Sequence, residues 1–236
     1  MIRRLARRAL RQVAFAGRRR TCPVCGRCAR LFLAAGAVPR PDAACPWCGS
    51  LERHRFAWLY LQREAELLKG PTRLLHLAPE RSLRAALDHL AGFTTVTADI
   101  DPTGVEVAAD LTALPFPEAM FDAVYCSHVL EHVMDDRSAM HEVRRVLRPN
   151  GLAVVQVPLR SGETYEDVSI TTPEGREAAF GQHDHVRVYG RDIVYRLESS
   201  GFQVEALTAS KLFDPEAVRR HGLDPEDVLF RCVRRG

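Results

Sequence analysis

Short apolar segments and amphipathic segments alternate along the chain from residue 72 onward. Short runs of apolar and β-branched residues are typical of buried strands, whereas apolar positions spaced three to four residues apart are typical of helices. The pattern predicts strands at 73–77, 94–98, 121–126, 152–157, 202–207 and 228–233, and helices at 82–90, 138–147 and 192–199. This alternation predicts the α/β fold class, with a doubly wound, mostly parallel sheet that carries helices on both faces.

Two connections in this region have unusual lengths. Only ten residues separate Asp99 from Asp110, whereas a crossover between parallel strands normally takes a dozen or more. Either this crossover is an abbreviated loop, or residues 105–108 do not form a full strand. Residues 159–189 are polar and loop-like, and a loop of that length in a compact domain is usually functional.

The first 20 residues are strongly basic, with eight arginines and no acidic residue. Apolar positions from Ile2 to Val13 form one stripe of a predicted helix. A mitochondrial presequence and a helix on a membrane surface share this pattern, and so does a frayed basic tail or a wrongly assigned start. Residues 53–69 predict a second helix, which ends at Gly70-Pro71 and links the N-terminal part to the α/β body.

The charge of the chain also changes near this boundary. The net formal charge of the 236 residues is +3, but residues 1–55 contain 13 basic and two acidic residues, and the remainder contains 20 basic and 28 acidic residues. A basic head on an acidic body indicates either a boundary between two modules or an anionic partner for the head.

The overall composition limits the class of protein. With 46% hydrophobic and 27% charged residues, the chain is not expected to be disordered or collagen-like. No run approaches the ~18 apolar residues of a membrane helix, so no transmembrane segment is expected. The predicted organisation is a basic amphipathic tail at 1–20, a cysteine-rich module at 21–52, a linker helix at 53–70 and the body at 71–236.

Two cysteine pairs lie close to the N-terminus, in the sequences Cys22-Pro-Val-Cys25-Gly and Cys45-Pro-Trp-Cys48-Gly. The 19 residues between them match the spacing of a zinc ribbon. Two residues between cysteines let one tight turn direct both thiolates at one ion, and four thiolates form a closed tetrahedral shell, which indicates a structural zinc. The glycine after each pair predicts a positive φ and backbone N–H groups that point at the sulfurs.

This cysteine cluster has three alternative interpretations. They are disulfide bonds, an iron–sulfur centre, and a zinc site in which another cysteine replaces one of the four ligands. Nothing in the sequence indicates an oxidising compartment, which argues against disulfides and favours a cytoplasmic protein. A C-x2-C pair at both ends suits a single ion better than an iron–sulfur centre. Cys28 repeats the three-residue step after Cys25 and is a candidate to replace one of the four ligands.

Four motifs follow one another between residues 109 and 152: Ala109-Asp-Leu-Thr-Ala-Leu-Pro-Phe-Pro117, Phe121-Asp-Ala-Val124, Cys126-Ser-His-Val-Leu-Glu-His-Val133 and Val143-Arg-Arg-Val-Leu-Arg-Pro-Asn-Gly-Leu152. They resemble the class I S-adenosylmethionine-dependent methyltransferases, particularly the type 11 group, with its LPFPDxSFD, VLEH and RVLKPGGxL motifs. The later H-x-R-x-Y at 185–189 and L-x-x-x-G-F at 197–202 are similar to that family's tail. The resemblance covers residues 72–208 and implies a Rossmann-like methyltransferase fold.

The resemblance implies an S-adenosylmethionine site at the carboxyl ends of the strands. Asp99 would hold the ribose hydroxyls, because a carboxylate that only accepts hydrogen bonds suits a cis-diol. Asp110 would lie near the adenine and accept from its amino group. The other residues implied to bind the cofactor are Ala78, Glu80, Ile100, Leu111, Ser127 and His128, of which the last two would line the methionine half.

The first cofactor loop differs from that of the family. His76-Leu-Ala-Pro-Glu-Arg-Ser82 stands where the family has D-x-G-x-G. Glycine there lets the backbone approach the cofactor. Ala78 is small enough for the same approach, whereas Pro79 removes an N–H donor. Glu80 either faces the cationic end of the cofactor or is a carboxylate at the start of a helix.

Histidines after the fourth strand and in the long loop are the candidate bases. His128 and His132 lie one turn apart if the chain is helical from residue 129 onward, and His185 belongs to the His-Asp-His sequence at 183–185. Histidine suits proton transfer near neutral pH. Glu131 is a further candidate base, and both Glu131 and His132 could instead be helix-start residues. The role that we favour most for residues 183–185 is a substrate contact, and the next is a base. A metal site is the least favoured role, because the sequence identifies no third ligand.

The sequence therefore predicts an S-adenosylmethionine-dependent methyltransferase with a structural zinc module, acting on a small-molecule acceptor. Two alternatives stay open: an RNA-modifying methyltransferase that uses the basic head, and a binding or scaffold protein whose methyltransferase fold has lost catalysis. Nucleic acid is less favoured, because the body is acidic and has no basic patch interleaved with aromatic residues. The sequence does not indicate an oligomeric state.

Overall fold

The computed structural model of the protein describes residues 13–36, 38–67 and 71–236. The chain divides into two compact units. The first contains the described residues up to 67 together with Glu80–Ala91 and Thr208–Asp227, and the second contains residues 71–79, Gly92–Leu207 and Val228–Gly236. The domain limits predicted from the sequence stay a prediction. Most of the predicted basic helix lies outside the described residues.

The strands of the described residues are, in chain order, β1 (Arg20–Thr21), β2 (Cys28–Ala29), β3 (Leu33–Ala35), β4 (Arg40–Ala44), β5 (Thr72–Leu77), β6 (Phe93–Asp99), β7 (Val107–Ala108), β8 (Phe121–Ser127), β9 (Leu147–Gln156), β10 (Tyr165–Glu166), β11 (Arg187–Val188), β12 (Phe202–Thr208) and β13 (Val228–Arg234). The helices are α1 (Glu52–Leu67), α2 (Arg81–Leu87), α3 (Asp136–Val146), α4 (Pro173–Phe180), α5 (Ile193–Ser199), α6 (Ala209–Leu212) and α7 (Pro215–His221). A 3₁₀ turn lies at Leu130–His132. Within the described ranges, every helix falls short of the length and apolar character that a membrane span requires.

A seven-stranded sheet forms the centre of the second unit, in the order β12-β13-β9-β8-β5-β6-β7. The pairs β5–β6, β5–β8, β6–β7 and β8–β9 are parallel, whereas β13 runs antiparallel to β9. The predicted α/β class with a mostly parallel sheet is therefore confirmed. The strand order reverses between β5 and β8, and open α/β sheets bind ligands at such a reversal.

The central strands are apolar because helices cover both faces of the sheet. In β8 every residue except Asp122 is buried. On α3, a spacing of three to four residues places Ala139, Met140 and Val143 on one buried face. This packing holds the carboxyl ends of β5, β6 and β8 in fixed positions at one edge of the sheet.

The crossover from β6 to β7 is a short loop, and β7 itself has only two residues. The Glu106 carboxylate accepts a hydrogen bond from the Thr97 backbone N–H at 2.8 Å, and the Glu106 N–H donates to the Thr97 hydroxyl at 3.1 Å. These bonds occupy the edge of β6 next to β7. Both explanations for the short spacing between Asp99 and Asp110 therefore hold in part. The crossover is a short loop, and residues 105–108 form an incomplete strand.

The prediction that residues 159–189 form one long loop is wrong, because the segment contains regular structure. Strands β10 and β11 pair with each other, Leu159 bridges to Tyr189, and α4 lies between them. The Thr172 hydroxyl accepts from the Gly175 N–H at 3.1 Å, and Pro173 occupies the first turn of α4. A threonine cap before proline is a helix-start signal, so the sequence contained this information.

A fully buried arginine organises the first unit. Arg55 lies on α1 and donates hydrogen bonds to the carbonyl groups of Ala43, Ser50, His221 and Gly222. These acceptors lie on segments far apart in the sequence. A buried guanidinium is stable only when its N–H groups are satisfied, so Arg55 ties these segments of the unit together.

A carboxyl group in the first unit makes stability depend on pH. Burial, and then the nearby Asp224, raises the pKa of Asp227 to about 7. Between the ordinary aspartate pKa of ~4 and pH 7, the folded state binds a proton that the unfolded state has lost, so stability falls as pH rises. We expect urea unfolding to give a free energy lower at pH 8 than at pH 5 by on the order of a few kcal/mol. Asp227→Asn should remove most of this difference, and the exposed Glu226→Gln should not.

Candidate functional site

A cavity of about 450 Å³ opens at the carboxyl edge of the sheet in the second unit. Its volume lies within the ~300–1,000 Å³ range of small-molecule sites. The ends of β5, β6 and β7 and the segment after β8 form its walls. The lining residues are Leu77, Ala78, Ala98, Asp99, Ile100, Ala109, Asp110, Leu111, Thr112, Val129, His132, Val133, Met134 and Asp135.

Ala78, in the first cofactor loop, adopts the backbone conformation of a glycine. Its φ is +46°, in the left-handed region that costs a non-glycine residue about 1–2 kcal/mol. Its N–H donates to the Ala98 carbonyl oxygen at 2.8 Å, which ties the end of β5 to β6. The turn that glycine makes in the family is therefore kept here by alanine, and the loop still lines the cavity.

Asp99 and Asp110 lie on the cavity wall at neighbouring strand ends, as the sequence predicts. The Asp99 carboxylate accepts from the Asp101 N–H at 3.0 Å. The Asp110 carboxylate accepts from the N–H and the hydroxyl of Thr112, both at 2.8 Å, and these two bonds lower the pKa of Asp110. Ile100, which is 76% exposed, adds an apolar surface beside Asp99.

Five of the eight predicted cofactor residues line the cavity, and Ser127, His128 and Glu80 lie elsewhere. Ser127 is buried, and its hydroxyl has no hydrogen-bond partner among the described residues. His128 has a left-handed backbone with φ +54°, and its ring Nδ1 lies 3.4 Å from a Glu131 carboxylate oxygen. Glu80 belongs to the first unit, where it precedes α2 and lies 3.3 Å from His54 Nε2. Its role at the cofactor stays a prediction.

The candidate bases are arranged differently from the expected helix. Because residues 130–132 form a single 3₁₀ turn, His128 and His132 do not share an α-helical face. His132 lines the cavity, its Nδ1 lies 3.2 Å from an Asp184 carboxylate oxygen, and its ring meets the ring of His185 edge to face at 4.6 Å. Burial, and then the neighbouring His132, lowers the pKa of His185. Glu131, His132 and His185 form one cluster, which sequence spacing did not reveal.

The four predicted cysteine ligands come together in the first unit. Cys22 Sγ lies 3.7 Å from Cys48 Sγ, and Cys25 Sγ lies 3.9 Å from Cys45 Sγ. Sulfurs at ~2.3 Å from one tetrahedral zinc lie about 3.8 Å apart, so the donor set and its spacing fit that ion. Cys28 is exposed and lies outside the cluster.

The environment of these sulfurs differs in part from the expectation. Gly26 and Gly49 have positive φ, as predicted, but their N–H groups donate to the carbonyls of Cys22 and Cys45 rather than to sulfur. The donors that face the sulfurs include the Trp47 N–H, 3.4 Å from Cys45 Sγ. The glycine conformation therefore closes each turn, and other groups face the thiolates.

Comparison with known proteins finds a family match inside the chain. The family described as a methyltransferase domain matches residues 81–155, which include α2, β6, β8, α3 and most of β9. This part of the chain is therefore similar to a methyltransferase domain. The seven-stranded, mostly parallel sheet agrees with the Rossmann-like fold that the resemblance implied.

Curated relatives match the methyltransferase domain over part of their length. The Mycolicibacterium vanbaalenii demethylmenaquinone methyltransferase is 35% identical over 115 residues, which are 45% of this chain and 50% of that protein. A Mycolicibacterium smegmatis protein named "Probable S-adenosylmethionine-dependent methyltransferase" is 32% identical over 96 residues, which are 41% of this chain and 34% of that protein. The chain thus spans between a third and a half of the length of these relatives.

A solved structure of similar fold has a different named activity. The [4+2]-cyclase SpnF superposes with a TM-score of 0.54 at 16% identity, over 90% of each chain. The shared fold therefore does not by itself specify methyl transfer, and the chemistry has to be argued from the residues of the cavity.

Arg187 holds one wall of the cavity in the second unit. It is 4% exposed, and its guanidinium donates to the carbonyl oxygens of Leu130, Val133 and Met134 and to the Glu166 carboxylate. Val133 and Met134 line the cavity. The H-x-R-x-Y pattern was the sequence signal for Arg187, but the pattern does not show which carbonyl groups the side chain would reach.

Proposed function

We propose that the protein is an S-adenosylmethionine-dependent methyltransferase that acts on a small-molecule acceptor. The observation that carries this proposal is Asp99, a half-buried carboxylate at the end of β6 on the wall of a cavity of about 450 Å³. In open α/β sheets of this kind, an acidic residue near the strand-order reversal forms hydrogen bonds with the ribose hydroxyls of a bound nucleoside.

The cavity residues fit the chemical groups of this cofactor. The Asp99 carboxylate can accept hydrogen bonds from both ribose hydroxyls, and the apolar side chains of Ile100 and Leu111 offer a surface for the adenine ring. Asp110, next to Leu111, accepts from the adenine amino group. Ala78 leaves room for close approach at the loop after β5. Ser127 and His128 remain the proposed contacts of the methionine half.

The histidine cluster is the proposed acceptor side of the site. The bound cofactor supplies an electrophilic methyl group, and the chain has to place the acceptor in line with that group and take its proton where it has one. His132 lies on the cavity wall with the Asp184 carboxylate at its Nδ1, which leaves Nε2 to accept a proton. His185 and His128 are proposed to position the acceptor around it.

Two observations support a small acceptor. The relative with 35% identity is named a demethylmenaquinone methyltransferase, which acts on a quinone and not on a nucleic acid. The part of the chain after residue 55 carries an excess of acidic residues, which disfavours nucleic acid. Incubation of the protein with methyl-labelled S-adenosylmethionine and either a metabolite extract or total RNA tests the acceptor class. Label in small molecules supports the proposal, and label only in RNA would favour the alternative.

We also propose that Cys22, Cys25, Cys45 and Cys48 hold a structural zinc ion. The four sulfurs and the buried Ser50 hydroxyl, 3.2 Å from both Cys22 Sγ and Cys48 Sγ, form a site with no open position for substrate. A closed shell of this kind stabilises a small module rather than activating a water molecule.

Asp99→Asn is expected to weaken S-adenosylmethionine binding about 10- to 100-fold, because hydrogen bonds to a charged group contribute about 1.5–3 kcal/mol. Isothermal titration calorimetry with the cofactor measures the change. Asp101→Asn is the matched control, since Asp101 is exposed and is not among the lining residues of the cavity. Equal affinities of Asp99→Asn and the unsubstituted protein would refute the ribose assignment, and no binding by the folded protein would favour a scaffold role.

A further inference from the structure

A carboxylate and two imidazoles meet beside the cavity. Glu131 is 1% exposed and His185 is 3% exposed, whereas His132 reaches the cavity wall. One ligand atom from each of these three residues lies within 4.8 Å of the other two. The cluster combines residues of the 3₁₀ turn with a residue that precedes β11, so the fold and not the sequence spacing brings them together.

His185 presents a buried nitrogen that the described residues leave without a partner. Its Nδ1 lies 3.3 Å from the Phe180 carbonyl oxygen, whereas its Nε2 has no hydrogen-bond partner among the described residues. Burying a polar nitrogen without a partner costs free energy. This cost is offset if a further group binds Nε2.

The contacts of the two histidines resemble those of metal ligands. A histidine that binds a metal usually donates its other ring N–H to a carbonyl or a carboxylate. The Phe180 carbonyl faces Nδ1 of His185, and the Asp184 carboxylate faces Nδ1 of His132. Both imidazoles are thereby oriented with Nε2 available, and a buried carboxylate lies beside them.

We infer that Glu131, His132 and His185 bind one divalent transition-metal ion. Two imidazoles and one carboxylate suit zinc, iron and nickel better than magnesium or calcium, which prefer oxygen ligands. The positive ion also offsets the charge of the buried Glu131 carboxylate. With the ion bound, His132 is a ligand and not a free base.

The site also narrows the class of acceptor, in a step that rests on the proposed methyltransferase function. Three protein ligands leave positions on a divalent ion open for another molecule. Because His132 lies on the cavity wall, the open side faces the space where the acceptor would bind. We therefore expect an acceptor that carries an oxygen donor, such as a hydroxyl or carboxylate group, next to the atom that is methylated.

The test counts metal ions in the full-length protein with the cysteine site already loaded with zinc. After dialysis against a small excess of Zn²⁺, elemental analysis is expected to find two zinc ions per chain, and one in Glu131→Gln and in His185→Gln. Loss of a ligand should weaken the second site by at least about 100-fold, since even outer contacts of a metal site change affinity 10- to 100-fold. His141→Gln is the control, because His141 is an exposed histidine on α3.

Cobalt provides a second readout that does not depend on activity or on the cysteines. Co²⁺ added to the zinc-loaded protein should give weak visible bands without thiolate charge transfer, and Glu131→Gln should abolish them. One zinc per chain in the unsubstituted protein, or two in Glu131→Gln with unchanged bands, would overturn the inference. Cofactor binding without a second ion contradicts only the metal site, whereas a second ion without cofactor binding contradicts only the proposed function.

Discussion

Arg187→Met is expected to lower the free energy of unfolding of the second unit by about 3–5 kcal/mol, the usual cost of breaking a buried ionic network. The methionine fills similar space but removes the guanidinium donor from the carbonyl groups of Leu130, Val133 and Met134, of which Leu130 keeps a hydrogen bond from the Tyr189 hydroxyl. Cofactor affinity should fall as well, because Val133 and Met134 line the cavity. Urea unfolding and calorimetry with the cofactor measure the two effects.

Two further variants show whether the loss of stability in Arg187→Met comes from the buried guanidinium group or from the loss of a positive charge. Arg191→Met removes an exposed arginine from the same unit and should change stability by less than about 0.5 kcal/mol. Arg187→Lys keeps the charge but not the planar fork that reaches several acceptors, so it should recover only part of the loss. If Arg187→Met unfolds at the same urea concentration as the unsubstituted protein, the network does not support the cavity wall.

Cys45→Ser is expected to abolish zinc binding and unfold the first unit. Structural zinc contributes about 10–16 kcal/mol in small zinc modules, which matches or exceeds the ~5–15 kcal/mol stability of a typical domain. Metal analysis should fall by one zinc per chain, and limited proteolysis should cut within residues 13–67. The same loss should follow treatment of the unsubstituted protein with a strong chelator.

Cys28→Ser is the matched control for this experiment, because Cys28 is exposed and lies outside the cluster. It should retain its zinc and its resistance to protease. A protein with Cys45→Ser that keeps a full complement of zinc would contradict the assignment of the ligands, and a folded, metal-free protein would contradict the structural role.

The sheet was predictable because its strands are local patterns. Continuous apolar runs, such as the one that became β8, identify strands that are covered on both faces. The two-residue β7 was only partly predictable, since its pairing with β6 depends on Glu106, which reaches back to Thr97. Helix α4 was missed although Thr172 and Pro173 marked its start, because the polar composition of the segment suggested a loop.

The positions of the candidate site residues were predictable where a residue lies at the end of a single strand. Asp99 is the last residue of β6, Asp110 lies two residues after β7, and both line the cavity. The grouping of Glu131, His132 and His185 was not predictable, because it depends on the fold of the chain between residues 132 and 185. The left-handed conformation of Ala78 was also not predictable, because alanine, unlike glycine, does not indicate a positive φ.

The abbreviated crossover after Asp99 has a kinetic consequence. Where a crossover helix would cover the side of the cavity proposed to hold the adenine, this protein has residues 100–106, and Ile100 on that wall is 76% exposed. A ligand bound at a side of the cavity that no helix covers can dissociate without the movement of a packed helix. We therefore expect cofactor and demethylated product to exchange rapidly, with affinity limited by a fast dissociation rate, so that product release does not limit turnover.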